Sequence, residues 1–173
     1  MKSFAEDVYY SSIEYGPQDV RTSLGYFNLA KVFQNQGALV ESKAFMRKVV
    51  SIWLNALIEL VIKQTTDSFI PVVMSQVYEV VDMLIDIRNT FTSAPSEISN
   101  SMTAEVELAI GLALIHVNNS TNNNSIIGRN DNHSEAMEYL FRAREGYKSI
   151  SNGDSSKYDI VEIANAAEEM LSL

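Results

Sequence analysis

The chain has 173 residues, 46% of them apolar and 20% charged, with a formal net charge of −9; this suits one globular domain, 1–173, with a sizeable core, and speaks against disorder. The negative charge disfavours nucleic acid or an anionic membrane as the main partner, since both repel it within a Debye length, and favours basic segments of other proteins. With no cysteine there is no disulfide framework and no thiolate metal site, which suits a reducing compartment.

The opening stretch MKSFAEDVYY lacks the basic flank and apolar core of a signal peptide, and Glu6 and Asp7 speak against a mitochondrial presequence, so an intracellular protein is expected. Within it, Phe4, Ala5, Val8, Tyr9 and Ile13 mark a short amphipathic helix ending before Gly16-Pro17. It takes the place of the second helix of a repeat whose first helix is missing. Either it folds back as an N-terminal cap, or another subunit or a removed segment covers its Phe/Tyr/Ile stripe.

Asp19 is the expected N-cap of a long helix running to about Gln36, with Tyr26, Leu29, Ala30 and Phe33 on one face. Gly37 turns the chain, and a second helix from about Leu39 carries Phe45, Met46, Val49, Val50, Trp53, Leu57 and Leu60, running to about Lys63. The apolar-rich run 49–62 is interrupted by Asn55 and Glu59 and is too short to span a bilayer.

Across 69–91, apolar residues recur at Val73, Val77, Val80, Leu84, Ile87 and Phe91, with a second stripe at Val81 and Ile85. This predicts a helix sandwiched on two sides, with Pro71 in its first turn, against the rival of a coiled-coil seam. A polar connection is expected at 92–101, then a very apolar helix at 102–117 with Val106, Ile110, Leu114 and Ile115, in which Gly111 permits a close crossing. The Asn/Ser/Thr-rich segment 118–132 is too polar to pack and is expected as a disordered insertion in the turn of a repeat. Its sequons at Asn118, Asn119, Asn123 and Asn132 are incidental products of that composition. Asn132 then caps a helix with Ala136, Leu140, Ala143 and Tyr147, Asn152-Gly153 makes a turn, and 156–173 forms a last helix with Ile160, Ile163, Ala164, Ala167 and Leu171 on one side.

The stretch 15–53 fits the tetratricopeptide pattern: Tyr26 at the aromatic position, Leu29 and Ala30 at the contact pair, Phe33 at the next aromatic, Gly37 at the turn and Ser42 at the small position of the second helix. A single such repeat leaves faces uncovered, so the expected fold is all-α, a tetratricopeptide-like solenoid of helical hairpins with about seven helices. The run GPQDVRTSLGYFNLAKVFQNQGALVESKAFMRKVVSIW resembles the longer repeat of kinesin light chains. More closely, AEDVYYSSIEYGPQDVRTSLGYFNLAKVF followed by VVSIW resembles the C-terminal repeat region of the MYND-domain zinc-finger protein twelve family, and VYEVVDMLIDIRNT and SEAMEYLFRAREGYKSI are recognisable too. That family belongs to motile cilia and flagella, alongside an axonemal tetratricopeptide protein and single-headed inner-arm dyneins. The resemblance implies a cytoskeletal, axonemal location within a hetero-complex of axonemal repeat protein, dynein or microtubule-associated proteins. It also departs from the family: no MYND finger can be built without cysteine, the upstream repeats are absent, and the stretch between Trp53 and Val77 is short by about one helix. The chain is thus either a reduced relative or part of a larger protein.

Catalytic and metal-binding patterns are absent from the sequence. His116 and His133 have no second ligand at fixed spacing, no phosphate-cradling glycine loop or nucleophile turn occurs, and Glu79, Asp82 and Asp86 read as a solvated acidic face. No catalytic residue, metal or cofactor is expected. Binding is the remaining role. Phe27, Asn28, Lys31, Gln34 and Asn35, off the core face of the first repeat helix, are candidates to hold an extended peptide, or are ordinary solvated positions. Tyr9, Tyr10 and Tyr15 are candidate interface anchors. Two functions follow: a structural subunit of the axoneme, or a soluble peptide or cargo adaptor of the kinesin-light-chain kind.

Overall fold

A computed structural model of the chain describes residues 3–62, 70–93, 97–121, 129–149 and 159–171, with only the backbone described at 70–78, 97–99, 118–121 and 129–132. The fold is all-α: among the described residues there are seven α-helices, one π turn and no strand, and neighbouring helices pack on one another as in helical-hairpin repeats. Where the sequence suggests one domain over 1–173, the helices group into two compact units, 1–56 and 57–173.

The first unit holds α1 (Phe4–Glu14), α2 (Val20–Asn35) and most of α3 (Leu39–Leu57). Asp19 caps α2 as expected, its carboxylate accepting from the Arg21 backbone N–H at 2.9 Å. Helix α2 ends in a Schellman turn: Gly37 adopts φ 76°, its N–H bonds the Gln34 carbonyl at 3.1 Å, and the Ala38 N–H bonds that of Phe33 at 2.9 Å. The α2–α3 hairpin closes on stacked rings, with Phe45 5.5 Å from Phe33 and 6.1 Å from Tyr26 between centroids. Ala30 is fully buried. So is Ser42, whose hydroxyl has no hydrogen-bond partner among the described residues, so size is what the position uses. Deeper in the unit the Trp53 indole N–H donates to Ser23 Oγ at 2.9 Å, and that hydroxyl donates to the Val20 carbonyl at 2.6 Å. Burial of a tryptophan here leaves no polar atom of the ring unsatisfied.

The second unit holds the π turn (Ile58–Ile62) that follows α3, then α4 (Ile70–Thr92), α5 (Glu97–Thr121), α6 (Arg129–Ser149) and α7 (Ile160–Leu171). Helix α5 is its axis, packed by α4, α6, α7 and the π turn. Its residues 106–115 are all buried, as a helix apolar around its whole circumference must be. Gly111 lies at the α5–α6 crossing: a Cβ there would stand 2.8 Å from Leu140 Cδ2 and 3.4 Å from the Ala136 carbonyl oxygen. The one charge in that run, Glu107, is 5% exposed and accepts from Arg88 Nε of α4 at 2.8 Å. Arg144 joins α6 to α7 through Glu168 at 2.6 Å and Asn165 at 3.2 Å.

Several expected boundaries shift. Helix α5 begins at Glu97, inside the stretch expected as a polar connection, and continues to Thr121, while α6 begins at Arg129. Both ends of the expected 118–132 insertion are therefore helical, and 122–128 lie outside the described residues. Polar residues cost a helix only tenths of a kcal/mol each, so a helix anchored by packing runs on through them. Consequently Asn132 sits inside α6 rather than capping it, and His133 falls in the second turn. Helix α7 starts four residues later than expected, at Ile160, where the Asp159 carboxylate accepts from the Glu162 N–H at 3.0 Å; Asn152-Gly153 lies outside the described residues. In α4 the main stripe is buried at Val80, Leu84, Ile87 and Phe91, whereas Val81 and Ile85 of the second stripe are only half-buried. Pro71 falls in the first turn of α4, where its missing N–H breaks no bond.

Candidate functional site

Helix α1 is held by a capping box in which the Glu6 N–H donates to Ser3 Oγ at 3.3 Å and the Ser3 N–H donates to Glu6 Oε2 at 2.9 Å. It packs on α2 along a thin seam. A Cβ on Gly25 would stand 2.8 Å from Val8 Cγ2, so the absence of a side chain there lets the two helices approach. Beside Val8 on that seam lie Ser11 and Ser12, both half-buried, and the Ser11 hydroxyl returns to the Asp7 carbonyl at 2.6 Å. Small and hydroxylated residues thus face the fold.

The larger apolar side chains face the other way. Tyr9 is 62% exposed, Tyr10 56% and Ile13 67%, and none of the helix is buried. The expectation of one apolar stripe through Phe4, Val8, Tyr9 and Ile13 is corrected: at 100° per residue Val8 lies nearly opposite Ile13, and only Val8 turns inward. The rings of Tyr9 and Tyr10 meet edge to face at 5.4 Å. Glu6 shares this outward face, with Asp7 and Glu14 on its flank. Ile13 belongs with the tyrosines as an interface candidate; the signal that finds it is its i+4 spacing from Tyr9.

Tyr15 stands apart from that face. The Arg21 guanidinium lies 3.9 Å from its ring centroid and forks onto Asp19 at 2.8 Å through both Nε and Nη2. That hydrogen bonding holds the Asp19 carboxyl below its usual range, and a hydrogen bond with Glu14 pushes the Tyr15 hydroxyl above the usual phenol range. Tyr15 is part of the α1–α2 corner, where the Thr22 hydroxyl also donates to the Gly16 carbonyl at 3.0 Å.

Phe27, Asn28, Lys31, Gln34 and Asn35 do share one side of α2; the first four are half-buried and Asn35 is exposed. Lys31 Nζ stands 6.0 Å from the Phe27 ring centroid. In the second unit Glu79 and Asp82 are exposed and Asp86 half-buried, and His116 is half-buried with its imidazole pKa pushed down by burial. Among the described residues no three His, Asp or Glu side chains are grouped closely enough to hold a metal ion, and no helix is long and apolar enough to cross a membrane. No model of a known protein family matches the chain.

Proposed function

We propose that this chain is a non-catalytic protein-interaction scaffold, a structural subunit of the ciliary or flagellar axoneme associated with inner-arm dynein or doublet-microtubule proteins. The observation that carries the scaffold role is α1, which turns Tyr9, Tyr10 and Ile13 to solvent and only Val8 and two serines to its own fold. Exposed aromatic and branched side chains clustered on one face are what a binding surface presents. The axonemal setting comes from the resemblance of 5–53 to the repeat region of the MYND-domain zinc-finger protein twelve family. Crosslinking mass spectrometry on isolated axonemes tests it through Lys31, Lys43 and Lys48. Links to a dynein heavy chain or an axonemal repeat protein are expected; links confined to soluble proteins overturn the axonemal setting.

A second reading is favoured by one observation: Phe27, Asn28, Lys31, Gln34 and Asn35 lie together on one side of α2, as a reversible peptide adaptor of the kinesin-light-chain kind uses its first repeat helix. A peptide ligand lost on Asn28→Ala/Lys31→Ala, with the protein absent from axonemes, is its expected signature.

A further inference from the structure

We propose that the outward face of α1 is the docking site for a basic amphipathic helix of a partner protein. The inference rests on the scaffold role and names the chemistry of what is bound. Glu6, Tyr9, Tyr10 and Ile13 follow the spacing i, i+3, i+4, i+7, the ridge that one helix offers to the grooves of another. Three turns of helix give a ridge about 16 Å long, matched by a partner helix of similar length.

Charge selects the partner. Residues 3–20 include Glu6, Asp7, Glu14 and Asp19 and no lysine or arginine. Asp19 is engaged by Arg21, which leaves Glu6, Asp7 and Glu14 to set the field around the tyrosines. A partner with an apolar seam flanked by Lys and Arg gains ion pairs with these carboxylates and cation–π contact with the Tyr9 and Tyr10 rings. A second copy of this chain would bring the same carboxylates against each other, and an anionic lipid surface or nucleic acid would meet the same repulsion.

The test uses the full chain against a displayed library of 18-residue amphipathic helices in which the apolar seam and the flanking positions are both randomised. Selection is expected to enrich Lys and Arg at the flanks, and the selected peptides are expected to lose at least about tenfold in affinity with Tyr9→Ser/Ile13→Ser. Asp7→Lys/Glu14→Lys is expected to reverse the flank preference toward Glu and Asp. Circular dichroism of both variants shows that the fold is kept, since every altered side chain is exposed. Enrichment without charge preference, enrichment of acidic flanks by the unaltered chain, no enrichment, or equal binding by Tyr9→Ser/Ile13→Ser overturns the proposal. So does a dimer in sedimentation that Tyr9→Ser/Ile13→Ser dissolves, which makes a second copy the occupant. Failure here leaves the axonemal crosslinks as an independent result.

Discussion

Residues 106–115 of α5 are buried without exception, whereas α1 has no buried residue at all. Both helices are rich in apolar side chains, and what separates them is the company each keeps. Helix α5 receives neighbours on every side from its own unit, so its sequence can drop polar periodicity almost entirely. Helix α1 meets α2 along a seam of Val8, Ser11 and Ser12 over Gly25, and its large side chains point outward. One is complete within the chain; the other carries a face that only another molecule can bury.

The largest effects should come from breaking the completeness of α5. Gly111→Val forces methyl groups into Leu140 at the α5–α6 crossing and is expected to cost about 3 kcal/mol in urea unfolding. Adding Leu140→Ala opens the space, so the double variant should lose clearly less than the sum of the two single changes. Arg88→Met leaves Glu107 buried and without its guanidinium, an expected loss of about 2 kcal/mol, below that of a fully buried pair because Arg88 is partly exposed. Arg88→Met/Glu107→Leu should recover most of it.

In the first unit Ser23→Ala removes the acceptor of the Trp53 indole and is expected to cost about 1–2 kcal/mol, read by thermal unfolding. Ser42→Ala, which removes a buried hydroxyl that holds no partner among the described residues, should leave stability unchanged or raise it slightly. Tyr9→Ser/Ile13→Ser on α1 should change stability by no more than about 0.5 kcal/mol, because nothing in its own unit is lost.

Acid separates the two regions by pH. Burial depresses the folded pKa of His116 on α5 below 6.5, so the unfolded chain binds the proton first and stability falls as pH drops from 6.5. Asp19, at the α1–α2 corner, has a folded pKa below 3.8; its contribution is intact above that value and is lost as pH falls through the lower one. Unfolding followed from pH 7 to 3 should therefore show a first decline that His116→Gln abolishes and a later one that Asp19→Asn abolishes.

Much of this was legible in the residues. The positions of Tyr26, Ala30, Phe33, Gly37 and Ser42 gave the α2–α3 hairpin because helix packing, small residues at crossings and a left-handed turn each leave a local mark. Gly111 was legible for the same reason. The pairing of Trp53 with Ser23 and of Glu107 with Arg88 was not, since each joins residues distant in sequence, although a buried indole and a carboxylate inside an apolar run both demand a partner. The outward turn of Tyr9 and Ile13 was missed because five apolar residues in eleven can be drawn onto one stripe, and only the contact of Val8 with Gly25 fixes the rotation of the helix. The ends of α5 and α6 were missed because Asn, Ser and Thr are weak helix formers that packing overrides.

Amide hydrogen exchange of the intact chain, with and without a selected basic helical peptide, tests the contrast between α5 and α1 most directly. Amides of 106–115 should exchange only through global unfolding and be indifferent to the peptide, while those of α1 should exchange rapidly alone and slow by about tenfold or more when it is bound. Protection of α1 equal to that of α5 in the chain alone, or no change in α1 on adding the peptide, would contradict the account.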